Sequence, residues 1–265
     1  MSYENIPKDT LGRVITQPND YFISVSGGGM PGALDDRMVG RSLNVSNGTY
    51  ETLWDQGGNY TYLTADTQLY ASSTSAADTA VVLLIQGLGA DYAEKSVTVT
   101  MNGQTQVALS GLMFRISAVL VTSATTPAGR VYIAESDTLT AGTPNTATKI
   151  QSTILLSPGD VGDFASFNIT HNGFFTVPAG KELHVLSLFN SVSRADDIQL
   201  DLRARLPGGA WLSLNMVWAY ESPSPLPYMQ RPTIGEKSDM QVRIRAGGPN
   251  QVCEANMQFV LVDKV

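Results

Sequence analysis

Residues 198–220 read IQLDLRARLPGGAWLSLNMVWAY, two β-strand runs flanking a glycine-rich loop. Ile198, Leu200, Leu202 and Leu206 alternate with Gln199, Asp201, Arg203 and Arg205, the period of two that sends successive side chains to opposite faces of a strand. The next run carries Leu212, Leu214, Met216 and Trp218 at the same period. If both apolar sets enter one core, a three-residue loop, Pro207-Gly208-Gly209, sets Ile198 against Trp218, Leu200 against Met216 and Leu202 against Leu214. A two-residue loop would turn one apolar set to solvent. Trp211 then falls opposite Arg205 on the polar face, and an outward tryptophan beside arginine is the composition of a contact surface.

The same texture extends in both directions. Short β-like runs occupy 21–26, 49–54, 81–86, 95–101, 105–109, 114–122 and 130–134, and again 151–156, 165–170, 174–177, 182–189, 198–206, 210–220, 240–246 and 253–262. Many short strands separated by turn residues predict an all-β, antiparallel β-sandwich protein. A turn or two of helix is expected only within 34–43. Parity favours a hairpin around Met101-Asn102-Gly103 that pairs Val97 with Val107 and Val99 with Thr105. It also favours a last hairpin joining Met240, Val242 and Ile244 to Cys253, Ala255, Met257, Phe259 and Leu261. Loop composition at 123–129 places a boundary there. The expected organisation is an N-terminal arm (1–20), a β-sandwich domain (21–125) and a C-terminal domain (126–265). The arm holds Tyr3, Ile6, Leu11, Val14 and Ile15 without helical or strand period, so it is expected to lie on a neighbour. Pro223, Pro225, Pro227 and Pro232 make 221–233 an edge or crossover segment, where Leu226, Tyr228 and Met229 are candidate contact residues.

Composition narrows the function. The 265 residues carry 17 Lys+Arg against 24 Asp+Glu, a net charge of −7, which disfavours a phosphate-binding surface. No run of about 18 apolar residues is present to span a membrane. Met1 is followed by Ser2-Tyr3-Glu4-Asn5, so no signal peptide is expected, and the single Cys253 allows no intrachain disulfide. Synthesis in a reducing cytosol follows.

No motif commits the chain to catalysis or to a cofactor. Gly27, Gly29 and Gly32 match a dinucleotide fingerprint in letters, but no parallel α/β pattern follows, and a flexible turn is the better reading. His171 and His184 lack metal-ligand spacing and are expected as hydrogen-bonded turn or strand histidines. No G-x-S-x-G elbow occurs. Asp160 with Asp163, and Asp196-Asp197 with Asp201, are expected as turn acids rather than a calcium site. No pair of facing carboxylates for glycoside hydrolysis can be nominated. The expectation is a protein that is not an enzyme and holds no metal or cofactor.

Several strings carry a resemblance. They are Asp20-Tyr21-Phe22 leading to Pro31-Gly32, ETLW at 51–54, YTYL at 60–63, VLLIQGLGADYAE at 82–94, LTAG at 139–142, FTVPAGK at 175–181, IGEKSDMQVR at 234–243 and FVLVD at 259–263. Over most of its length the chain resembles virion structural proteins of tailed, often marine, bacteriophages. FTVPAGK is similar to a jelly-roll strand opener of phage head and fibre proteins. The resemblance implies a jelly-roll-like C-terminal part and a head decoration, or cement, protein. Such a protein would be trimeric, seated on major capsid or other virion subunits, and would bind neither nucleic acid nor membrane. The alternative is a tail or neck module binding a host glycan through Trp211, Tyr228 and loop acids.

Overall fold

The computed structural model describes residues 32–45, 48–155, 168–192, 197–219, 224–227, 232–248 and 251–264. Strands β1 (Ala33–Val45) and β2 (Glu51–Thr52) open the described chain. A middle block follows with β3 (Leu69–Ser73), β4 (Val82–Leu88), β5 (Glu94–Thr100), β6 (Val107–Ala108), β7 (Arg115–Val121), β8 (Val131–Glu135), β9 (Leu139–Thr140), β10 (Thr143–Pro144) and β11 (Ile150–Ile154). The last block holds β12 (Phe174–Thr176), β13 (Lys181–Val192), β14 (Ile198–Arg205), β15 (Leu212–Ala219), β16 (Ser224–Pro227), β17 (Thr233–Ile234), β18 (Asp239–Ala246) and β19 (Gln251–Asp263). The protein is all-β, its ladders are antiparallel, and no α-helix occurs among the described residues.

Two cores result. One sheet in the order β1-β19-β13-β16 faces another in the order β12-β18-β14-β15, and they share a core that includes Met38, Leu183, Val185, Met257 and Phe259 from the first and Leu200, Leu202, Val242 and Ile244 from the second. The sheets β11-β8-β3-β6 and β5-β4-β7 enclose the second core, around Leu69, Leu83, Ile85, Met113, Val119 and Ile133. Strict alternation is clearest in β19, where Cys253, Ala255, Met257 and Phe259 are buried while Glu254 and Gln258 are exposed. An aromatic cluster, Trp54, Tyr60 and Phe174, joins residues from both blocks, with Tyr60 stacked on Phe174 at 3.7 Å.

Four sequence expectations are corrected. Residues 34–43 belong to the long strand β1, because pairing with all of β19 outweighs a local pattern too short to sustain a helix. The cores do not divide at 125/126. β8 and β11 lie in the same sheet as β3, and β1 and β2 join the C-terminal sheets. The 123–129 segment is fastened to the middle block instead: the buried Asp78 carboxylate accepts Ala128 and Gly129 N–H groups at 2.8 and 3.1 Å. Near Asn102 the chain makes only a tight turn, with Thr105 bridged to Asn102, and then changes sheets. Val97 therefore pairs with Ile85, and Val107 with Ala71. Finally, β18 and β19 are not a hairpin ladder. They lie in opposite sheets and meet through their side chains across one core. The proline segment behaves as expected, since β16 is an edge strand in which Leu226 pairs with Leu188.

Cys253 lies inside the first core, and burial together with the charge of Glu51 pushes its thiol from an ordinary 9.0 up to about 12. The unfolded chain would ionise first, so the stability contributed by the neutral thiol is complete below about pH 9 and declines toward pH 12. At pH 8 the folded protein should resist iodoacetamide, and the same protein in urea should be alkylated promptly. Equal rates in the two states would show that the thiol is accessible.

Candidate assembly interface

Asp239, at the start of β18, is buried and draws donors from three side chains. Its carboxylate receives Arg115 Nε at 2.9 Å and Nη2 at 3.2 Å, Arg205 Nε and Nη2 at 3.0 and 2.9 Å, and Thr176 Oγ1 at 2.7 Å. A buried carboxylate requires such pairing, since its desolvation costs several kcal/mol. Arg115 arrives from β7 of the other core, and its Nη1 also donates to the Leu63 and Phe114 carbonyls at 2.7 and 2.9 Å. The cluster therefore clamps the two cores together.

Aromatic rings cover the guanidinium groups. Arg115 lies 3.9 Å from the Phe114 centroid and 5.1 Å from that of Tyr62. Arg205 lies 4.8 Å from Tyr62 and 4.6 Å from Trp211, and Arg203 stands 4.3 Å from Trp211. Tyr62 donates its hydroxyl to the Met240 carbonyl at 3.2 Å, and burial, reinforced by the Asp239 charge, holds its pKa well above the ordinary tyrosine value. Burial and the neighbouring Arg243 push Arg203 down to about 10. The sequence thus juxtaposes Arg205 and Trp211 correctly, but their contact is made within the chain, where it packs Trp211 to half-burial.

The polar parity of β14 is not wet. Gln199 and Asp201 are buried, and Asp201 accepts Ser213 Oγ at 2.6 Å and Arg243 Nη2 at 2.5 Å while Tyr50 lies 4.7 Å over the Arg243 guanidinium. With both faces of β14 covered, the expected β14–β15 register fails. Gln199 pairs with Trp218 and Asp201 with Met216, one residue away from the apolar-to-apolar alignment. A bulge between Leu202 and Arg203 then sets Arg203 against Ser213 and Ala204 against Leu212. The result inverts the sequence reading: Leu206, Leu212, Leu214, Met216 and Trp218 are 66%, 66%, 38%, 49% and 66% exposed. Residues expected in the core line the outside of an edge strand.

Among the other candidate contact residues, Leu226 sits in β16 at the edge of the opposite sheet. Tyr3, Ile6, Leu11, Val14, Ile15, Tyr228 and Met229 lie outside the described residues, as do Gly27, Gly29, Asp160, Asp163 and Asp196. Asp239, Arg115 and Tyr62 escaped sequence reasoning because they are distant in the chain: Arg115 and Asp239 are 124 residues apart, and Tyr62 reaches the Met240 carbonyl across 178. Gly32 leads into β1, so no helix follows the glycine-rich stretch to receive a pyrophosphate.

A cleft of about 440 Å³ runs between β1, β4, β7 and β12, lined in part by Asp36, Arg37, Gln86, Ser117, His171 and Phe175. Asp36 is the single carboxylate lining it among the described residues. His171 directs Nδ1 to Asp55 Oδ2 at 3.3 Å, and Asp55 also accepts Arg41 Nε at 2.7 Å. His184 makes a 3.1 Å contact with Thr233 Oγ1. Both histidines are thus hydrogen-bonded as expected. Among the described residues no three His, Cys, Asp or Glu side chains group as a metal site, and no helix is long and apolar enough to cross a membrane.

Fold and site together define a class: an antiparallel all-β protein with two cores clamped by a buried arginine–aspartate cluster and an apolar edge strand facing outward. No protein-family model matches the chain, and a search of curated proteins returned no match.

Proposed function

We propose that this chain is a structural protein of a tailed-bacteriophage virion, a head decoration module that joins copies of itself and capsid subunits. In this reading the first core is a jelly-roll-type sandwich. The observation that carries the proposal is the row Leu206, Leu212, Leu214, Met216 and Trp218 on the outside of an edge strand. These fractions leave on the order of 500 Å² exposed, divided between the two faces of one edge strand, more than apolar residues scattered singly would leave and characteristic of a contact site. Burying it at about 25 cal/mol per Å² gives each contact modest strength, which repetition over a shell multiplies. The clamp between the cores supplies the rigidity a bridging tile needs. A glycan platform on Trp211 fits less well, because Arg203 and Arg205 already lie against that ring.

Quantitative mass spectrometry of purified particles tests the reading. The chain should occur in many copies, in fixed ratio to the major capsid protein, and heads assembled without it should rupture at lower temperature. Its absence from mature particles would overturn the proposal. A copy number matching one ring of tail subunits would favour the receptor-binding alternative.

A further inference from the structure

The outer edge of β15 has no strand partner among the described residues: β15 pairs with β14 on one side and ends its sheet on the other. Natural edge strands are guarded by charge, proline, brevity or cover. The other edges here are guarded. β16 reads SPLP, β5 begins with Glu94-Lys95, β6 has two residues and β12 three, β1 contains Asp35-Asp36-Arg37, β11 is buried throughout, and β7 is bridged on its outer side at Leu120 by Ile169. β15 reads LSLNMVWA, eight residues with neither charge nor proline. It also carries four of the eight large exposed hydrophobic side chains among the described residues, and Leu206 just before it is a fifth.

We infer that β15 is the seat of a second copy of this chain, paired antiparallel across a two-fold axis. An apolar row needs an apolar counterpart. The three remaining large exposed hydrophobics, Leu34, Leu112 and Phe189, sit on separate elements and form no comparable row, so the surface that fits the row is the row itself. Centred on Asn215, the pairing sets Leu214 opposite Met216 in the middle of the contact, with Trp218 on the face of Met216 and Leu212 on the other face beyond the bulge, so apolar side chains of the two copies flank the shared edge. β15 itself carries no charged residue that would meet its like across a two-fold axis. The roughly 500 Å² of apolar surface is also a fitting core for a standard interface, which buries about 800 Å² per partner.

The inference deepens the reading of the chain as an assembling protein, and its test is separable from that reading. Light scattering after size exclusion of the full chain should give twice 28.4 kDa. Trp218→Lys and, separately, Met216→Lys should each weaken self-association about thirtyfold or more, as loss of a central contact residue does, with far-UV circular dichroism and the melting profile of the monomer retained. Leu112→Lys, at an exposed apolar residue elsewhere, should leave the dimer intact. A monomeric or trimeric wild-type chain, or a dimer that survives both β15 variants but is lost on deleting residues 1–31, would overturn the inference. A dimer dissolved by Trp218→Lys, from a chain absent from particles, would sustain the contact and reject the virion reading; a monomer abundant in particles would do the reverse.

Discussion

Replacing Asp239 by asparagine should lower the unfolding free energy by about 3–5 kcal/mol, the usual cost of removing one partner from a buried ion pair. The amide keeps the shape of the carboxylate but not its charge, and two arginines depend on that charge. Arg115 is 6% exposed, so it has almost no water to turn to, whereas Arg205 is partly exposed and can relax outward. Arg115 therefore sets the size of the loss. Urea unfolding followed by tryptophan fluorescence measures it, through a fall in the midpoint at similar slope. Because Arg115 and Asp239 come from different cores, the transition should also broaden or split as the cores lose their coupling. Combining Arg115→Met with Asp239→Leu should recover a large part of the loss, since apolar groups of similar size can replace a buried pair. A drop under about 1 kcal/mol for Asp239→Asn would mean that water reaches the cluster.

Gly142→Ala should cost about 3 kcal/mol or more, because left-handed backbone strain and overpacking add. Gly142 has φ +79° in the two-residue turn joining β9 to β10, and Ala141 before it has φ +47°. Both central residues at positive φ are what a type I′ turn demands. A Cβ at Gly142 would stand 1.8 Å from the Ser73 carbonyl oxygen, a backbone atom that cannot swing aside. Gly208 separates the two contributions. It has φ +70°, but a Cβ there would meet nothing within 4 Å, so Gly208→Ala should cost only about 1–2 kcal/mol. Equal losses at the two sites, measured by thermal or urea unfolding, would remove the clash from the explanation.

Strand positions were legible because the period-two pattern is a local property. β4, β5, β7, β8, β13, β14, β18 and β19 begin and end within a few residues of the apolar alternation. The pairings were far less legible. Parity placed Met240, Val242 and Ile244 with Cys253, Ala255 and Met257 in one core, which is correct, but it could not tell a ladder within one sheet from contact between two sheets. The boundary at 123–129 was drawn from composition, while its membership of the middle block rests on Asp78, some fifty residues away in the chain.

The candidate site divides in the same way. Arg205 beside Trp211 was visible in the sequence, whereas Asp239, Arg115 and Tyr62 come together only when the two cores dock. The sequence by itself settled that the chain is built of strands and which residues are apolar on each, because alternation is written residue by residue. Tertiary structure alone decided which face of each strand is covered. Alternation states that a strand has two unlike faces, not what lies against them. Once arginines and aromatic rings cover the polar face of β14, a one-residue change of register sets Met216 and Trp218 beside that face, where they stay exposed, instead of in the core.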